Sequence, residues 1–190
     1  EDEIARLSRL RADADLYSYA AATPAGADVV VELSTGASAK AAWRDGAVVQ
    51  VALAGATGAA ATATGRIAAG SRGAIVPVPI DRTRGGPWSL AVTVTGDGDR
   101  VQDQVTVPAV PAMVIGQPLA WRASPSPRSP LNPLADFQLR RAERLHVEWP
   151  LIQEPASKVA RLLDRHGQPL GGELPLVAAP TVQRIPIARS

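Results

Sequence analysis

The chain has 190 residues, of which 46% are hydrophobic, 20% are charged and none is cysteine. A chain of this length buries roughly 70% of its extended surface, so it needs neither disulfides nor a metal to fold, and its composition excludes a disordered tail or a collagen-like repeat. Its net charge of +2 and its sparse aromatic residues argue against nucleic-acid binding, and it has no apolar run of the roughly 18 residues that a transmembrane helix needs.

The N-terminal residues predict a short helix. Ile4, Leu7 and Leu10 recur at helical spacing and form one apolar stripe. We therefore expect residues 1–24 to comprise a helix, over about residues 1–12, and a linker.

The hydrophobic period then changes to two residues, which predicts β-strands. The clearest segment is Trp88–Thr95, in which every second residue is large and apolar, as in a strand with one buried face. The hairpin signal Gly96–Asp99 follows it. The spacing of these segments predicts an antiparallel Ig-like or fibronectin-like β-sandwich over residues 25–108. The six predicted strands are Ala27–Ser34, Ala47–Ala54, Ala59–Arg66, Gly73–Ile80, Trp88–Thr95 and Arg100–Val107.

Two prolines within Val107–Pro111 predict an extended linker before a second domain. We expect residues 111–190 to form a second sandwich-like domain, with a hairpin turn at Asp164–Gly167. The segment Ser124–Pro133 contains four prolines and predicts a loop. The expected strands of this domain are Ala112–Ala123, Phe137–Trp149, Lys158–Asp164, Leu170–Ala178 and Thr181–Ala188.

The sequence offers little for catalysis. His146 and His166 are the only imidazoles, and the chain has no Cys. Glu148 lies two residues after His146 and shares its strand face, but a zinc site needs a third or fourth ligand. A Gly-x-Ser-x-Gly nucleophile motif is also absent. We therefore predict a non-enzymatic protein without a cofactor or metal.

The four tryptophans are the aromatic residues that could form a binding surface. Trp88 and Trp149 are in phase with apolar strand positions, which predicts that they lie in the core. Trp43 precedes a turn and is expected to be the most exposed, and the position of Trp121 is left open. An exposed Trp43 or Trp121 would give a glycan a stacking surface, so a carbohydrate-binding module is the alternative function.

The prolines indicate where a protein partner could bind. Pro127 and Pro130 have the P-x-x-P spacing that aromatic grooves bind in other proteins, although a rigid surface loop has the same pattern. Pro186 confines the last predicted strand to a sheet edge, and such edges must be blunted or paired. We expect the Ser124–Pro133 loop and the Pro186 edge to contact a protein partner or a second copy of the chain.

Two stretches of the chain together resemble a known family. One is Leu7–Tyr19 running into Asp28–Leu33, and the other joins Gly116–Arg122 to Ala135–Pro150. They resemble the region that follows the von Willebrand factor A-like domain in large bacterial VWFA-related proteins.

The resemblance implies an exported β-rich accessory region, periplasmic or extracellular, without catalytic activity. It also implies an A domain before residue 1 in the parent protein. The family's A domain carries a metal-dependent adhesion motif, Asp-x-Ser-x-Ser, which this chain lacks, so metal-dependent adhesion is not transferred. We expect a structural or protein-interaction module.

Overall fold

The computed structural model describes residues 14–23, 25–54, 62–81, 86–107, 117–124, 126, 130–151 and 156–178. The predicted N-terminal helix, Pro127 and the predicted strand with Pro186 lie outside these residues. The chain divides into two compact units, Glu1–Ile152 and Gln153–Ser190. The described strands of both units pair antiparallel, and no helix among the described residues has the length and hydropathy to cross a membrane.

The described elements of the first unit are mostly strands of two to eight residues. One short helix, α1 (Thr35–Ser38), and one 3₁₀ turn (Ala41–Trp43) connect the second and third strands. The strands are β1 (Leu16–Thr23), β2 (Gly26–Leu33), β3 (Ala47–Ala54), β4 (Thr62–Ile67), β5 (Gly73–Pro79), β6 (Trp88–Thr95), β7 (Arg100–Val107), β8 (Leu119–Ala123), β9 (Asn132–Pro133) and β10 (Arg144–Glu148).

Two sheets share one apolar core and form a β-sandwich. The first sheet has the strand order β1-β2-β5 and the second has the order β4-β3-β6-β7. Valines from both sheets lie in the same buried cluster, including Val29 and Val76 from the first sheet and Val49, Val92 and Val94 from the second. The predicted mainly β class is therefore confirmed.

Alternation located three of the four strands of the second sheet, whereas β4 (Thr62–Ile67) was predicted at Ala59–Arg66. β3, β6 and β7 begin and end at the predicted residues. The turn between β6 and β7 is a hairpin in which the Gly96 N–H donates to the Asp99 carbonyl over 3.0 Å. Gly98 has a φ of 72°, which glycine adopts without steric cost.

The first strand corrects the expectation of a linker before residue 25. Leu16–Thr23 pairs with β2 along its whole length, from Leu16 opposite Leu33 to Thr23 opposite Gly26. Its centre is Ala-rich, so no contrast between large apolar and polar residues marks the strand in the sequence. The small side chains are nevertheless buried, Ala21 completely.

The first compact unit extends past the boundary expected at residues 108–111. A small sheet with the order β10-β8-β9 belongs to it. Within that sheet Asn132 and Pro133, expected in a loop, pair with Arg122 and Trp121 of β8. The Tyr19 hydroxyl of β1 accepts a hydrogen bond from the Ala120 N–H over 3.0 Å. These strands therefore dock on the sandwich and do not begin a separate domain.

The described part of the second unit contains one hairpin, β11 (Ala160–Leu163) and β12 (Pro169–Leu174). Its turn lies where the sequence predicts it. The Asp164 carboxylate accepts hydrogen bonds from the backbone N–H groups of His166 and Gln168, at 2.8 and 2.9 Å. The sandwich-like domain expected over residues 111–190 is thus replaced by strands of the first unit and this hairpin.

Trp43 corrects the expectation of an exposed stacking residue. Its side chain is only 4% exposed and belongs to the sandwich core. The 3₁₀ turn directs the indole against the β6–β7 hairpin, where a Cβ at Gly96 would lie 2.6 Å from the Trp43 ring and 2.3 Å from the Ala42 carbonyl oxygen. A residue next to a turn is exposed only if no other segment covers it, and here the hairpin does.

We predict that Gly96→Ala destabilises the sandwich by about 1–3 kcal/mol, since the added methyl overpacks a filled site. Urea unfolding followed by Trp fluorescence measures the change. Gly36→Ala is the matched control, because outside its chain neighbours and its own helix backbone only the Ser34 hydroxyl, at 4.0 Å, lies near the added Cβ; alanine in the short helix is expected to be neutral or slightly stabilising. Equal stability of the two variants would contradict the close packing of Trp43 on Gly96.

Candidate functional site

β2 is the only described strand in which every residue is buried. Successive side chains of a strand point to opposite faces of its sheet. Val29, Val31 and Leu33 therefore face the sandwich core, whereas Val30 packs in a second cluster on the other face. Glu32 shares that outer face with Val30, and the small sheet covers it.

Glu32 is a buried carboxylate, 1% exposed. Its Oε2 atom accepts hydrogen bonds from the backbone N–H groups of Ala135 and Asp136, at 2.8 and 3.0 Å. Its Oε1 atom accepts from Arg122 Nη2 at 3.2 Å and from Arg72 Nη2. Four donors thus compensate the loss of water around this charge.

Arg122 of β8 joins Glu32 to two further carboxylates. Its Nη2 atom donates to Asp136 Oδ1 over 2.7 Å, and its Nη1 atom donates to Glu143 Oε2. Arg72 contacts the second Asp136 oxygen at 3.3 Å. We call these five residues, Glu32, Arg72, Arg122, Asp136 and Glu143, the Glu32 network.

The pKa values of two members follow from these contacts. Burial alone would lower the pKa of Arg122, but the hydrogen bond to Glu143 and the charges of Glu32 and Asp136 raise it above its usual value. Burial alone would raise the pKa of Glu143, but the Arg140 backbone N–H and the Arg122 guanidinium lower it. Both groups are therefore held in their charged forms.

The contacts of the Glu32 network indicate a structural role, in which it holds the small sheet against the sandwich. Its carboxylates are bound by guanidinium or backbone donors, so they are poorly suited to accept a proton from a substrate. The Glu32 network was not predicted from the sequence. A signal was present in Val29-Val30-Val31-Glu32-Leu33, because an apolar run without alternation is typical of a strand buried on both faces, and a single acid in such a run needs a partner.

The Glu32 network includes Arg122 of β8 and so positions the neighbouring strand β10, the outer strand of the small sheet. Leu145 lies directly opposite Arg122 in the register, so the two side chains share one face. Arg122 is buried, but Leu145 is 50% exposed, as is Trp149. We call Leu145, Val147 and Trp149 the β10 apolar row. Trp149 was expected in the core, and this prediction is wrong: the residue follows the end of β10 and packs in neither buried cluster.

The opposite face of β10 is polar and carries one aromatic neighbour. His146 Nε2 lies 2.9 Å from Glu148 Oε1, which confirms that these two residues share a strand face. The imidazole meets the half-buried Trp121 edge-on, with ring centroids 5.5 Å apart. Trp121 is thus partly accessible beside a polar pair.

An open groove of about 450 Å³ lies on the second sheet beside the 3₁₀ turn. Asp45, Gln50, Arg66, Thr95 and Asp97 are among its lining residues. Arg66 donates to the Asp45 carbonyl over 3.1 Å. Within the described ranges no three His, Asp or Glu side chains are grouped as metal ligands would be.

The predicted interaction residues do not converge. Trp43 is buried and Trp121 is half-buried, whereas Pro130 is exposed at the start of the segment leading into β9. Pro127 and Pro186 lie outside the described residues. The structure brings Trp121 next to His146, a pairing that sequence reasoning did not predict, because it depends on the register of β8 with β10.

The comparisons with known proteins return no relatives. No family model, no curated protein and no solved structure matches this chain. The resemblance to VWFA-related proteins therefore stays a prediction.

We predict that Glu32→Gln destabilises the first unit by about 3–5 kcal/mol, because it leaves the buried Arg122 and the half-buried Arg72 guanidinium groups with less negative charge. Asp15→Asn is the matched control, since Asp15 pairs with Lys40 at the surface with both side chains 49% exposed; such pairs contribute about 0–1 kcal/mol. Urea unfolding at pH 7 compares the variants with the parent. Losses of similar size in both variants would contradict a structural role for the network.

The lowered pKa of Glu143 predicts a pH-dependent contribution to stability. A carboxyl whose pKa is lowered by folding stabilises the protein above its ordinary value of 4.5, and this contribution is lost as the pH falls through the lowered folded-state pKa. The parent should therefore exceed Glu143→Gln in unfolding free energy at pH 7, and the difference should shrink by pH 3. Urea unfolding at both pH values measures it. A difference that is constant with pH would contradict the assignment.

Proposed function

We propose that this chain is a non-enzymatic protein-interaction module that binds through an open sheet edge. The observation that carries the proposal is β10, a strand with exposed apolar side chains to whose outer edge no described strand pairs. Exposed strand edges are templates for pairing with another chain, and apolar surface beside such an edge adds affinity and specificity.

Three other sheet edges of the first unit, those of β5, β7 and β1, are blunted. β5 carries Pro77 and Pro79, both exposed, and proline cannot donate to a neighbouring strand. β7 exposes alternate polar residues along most of its length. β1 lies beside β7, where Ser18 donates to the Asp103 carboxylate. β10 contains no Pro and exposes Leu145, whereas Val105 and Val107 of β7 are buried, so β10 differs from these edges.

We also infer the type of β-sandwich from the order of its strands. The order β1-β2-β5 facing β4-β3-β6-β7 supports an Ig-like, fibronectin-like sandwich, a scaffold that many cell-surface interaction domains share. A fold alone does not assign function, so the support for an interaction module comes from the β10 edge and not from the sandwich.

The setting follows from the resemblance. We infer an accessory region of an exported bacterial VWFA-related protein, periplasmic or extracellular, with a structural or adaptor role. The family resemblance in residues 7–33 and 116–150 is its support.

Each imidazole makes its side-chain contact with a residue one or two positions away in its own strand or turn. His146 pairs with the Glu148 carboxylate at the surface. His166 Nε2 accepts from Arg165 Nε in the β11–β12 turn. Each histidine thus has a local partner that accounts for its position.

A carbohydrate-binding module is the second candidate, favoured by one observation. Trp121, His146 and Glu148 place a partly accessible indole beside a hydrogen-bonding pair, which is the chemistry that stacks on and orients a sugar ring. Calorimetry against a glycan panel separates the two functions. Heats of binding that disappear in Trp121→Ala would favour the glycan module, and a flat response to the panel would remove it.

We predict that the double variant Leu145→Asp/Trp149→Asp loses partner binding while keeping its fold. Proteins captured by the parent chain from source cells are purified, and their binding is reconstituted with purified components and measured by calorimetry. Affinity should fall at least about tenfold, because two apolar anchors are replaced by charges. Ala91→Asp is the control, since Ala91 is an exposed position of β6. Equal binding by parent and double variant would contradict the proposal.

A further inference from the structure

The charge pattern of β10 identifies the kind of partner that fits its open edge. The strand reads Arg144-Leu145-His146-Val147-Glu148, with a cation at one end, an anion at the other and apolar residues on both sides of the central His146. This pattern is complementary to itself when the strand is reversed. We propose that the β10 edge pairs antiparallel with β10 of a second copy of this chain, an inference that rests on the proposed function.

The geometry selects the register of this pairing. A two-fold axis perpendicular to the sheet makes the two strands antiparallel. The same face of the sheet then points to the same side in both copies. Residues directly opposite each other must then share a face, so even-numbered residues pair with even-numbered ones. The register centred on His146 pairs all five strand residues and places Arg144 opposite Glu148 in both halves of the interface.

The same register joins the apolar rows. Leu145 of one copy lies opposite Val147 of the other, and the reverse holds across the axis. Trp149 of each copy lies at one end of the continuous apolar row that the two copies form. The pairing therefore adds apolar neighbours to Leu145, which is 50% exposed in the single chain, and brings Arg144 of each copy beside the His146–Glu148 pair of the other on the opposite face.

The size of the edge sets the expected affinity. Five residues per copy form an interface smaller than the roughly 1,200 Å² that stable complexes bury. We therefore expect weak, reversible self-association with a Kd on the order of 10–1,000 µM, and stronger association when copies are held together by other parts of an assembly.

Charge reversal tests the pairing with the full chain. Sedimentation velocity from 5 to 500 µM should show concentration-dependent dimers of the parent. Arg144→Glu and Glu148→Arg should each weaken dimerisation at least about tenfold, because like charges then face each other. An equimolar mixture of the two variants should recover association, since each supplies the charge that the other lacks. Arg100→Glu, an exposed reversal at the start of β7, is the control and should dimerise like the parent.

A thiol at the centre of the strand tests the register. The chain has no cysteine, so His146→Cys introduces a single thiol that faces itself across the proposed axis at a Cα separation compatible with a disulfide. The oxidant diamide, which takes two electrons and two protons from a thiol pair, should yield covalent dimers. Thr95→Cys, at an exposed position of β6, should yield far fewer.

The outcomes separate this inference from the proposed function. A parent chain that stays monomeric at 500 µM, or dimers that both charge reversals leave unchanged, would overturn the self-pairing. The binding of a purified heterologous partner that depends on Leu145 and Trp149 would then still support an interaction module. Loss of both self-association and partner binding would overturn both proposals.

Discussion

The buried Glu32 carboxylate is the interaction on which the arrangement of the first unit depends. It lies on the outer face of the β1-β2-β5 sheet, where a folded sandwich would otherwise meet water. The charge is tolerable there only because Arg72, Arg122 and two backbone N–H groups bind it. Those donors come from the β5 side of the sandwich and from the small sheet, so the carboxylate joins two parts of the chain that are far apart in sequence.

The directionality of these bonds has a structural consequence. Apolar contacts such as those of Val30 with its neighbours tolerate small shifts, whereas Arg122 must reach Glu32, Asp136 and Glu143 at once. Few placements of β8 satisfy all three ion pairs. The network therefore fixes the register of the small sheet against the sandwich, and through the β8–β10 pairing it fixes which face of β10 is turned outward.

The sequence predicted the sandwich strands where polar and apolar residues alternate, as in β6, because one face of the strand is buried and the other is wet. It could not predict β1, whose alanines hide the same periodicity, or the burial of Trp43, which is caused by a hairpin about fifty residues later in the chain. The small sheet was missed for a related reason. A strand such as β10 shows alternation, but alternation does not state which sheet the strand joins.

The exposed edge of β10 differs from sheet edges that are protected against pairing with another strand. Prolines in β5 and the polar side chains of β7 make those edges poor templates for another strand. An open edge with exposed apolar side chains, such as that of β10, favours aggregation unless its pairing is restricted. The charges of Arg144 and Glu148 at the ends of β10 restrict this hazard. They oppose in-register parallel pairing, in which like charges would face each other, and favour the antiparallel register centred on His146. A strand whose end charges select its partner's direction would pair specifically, which is the property that separates an interaction edge from an aggregation site.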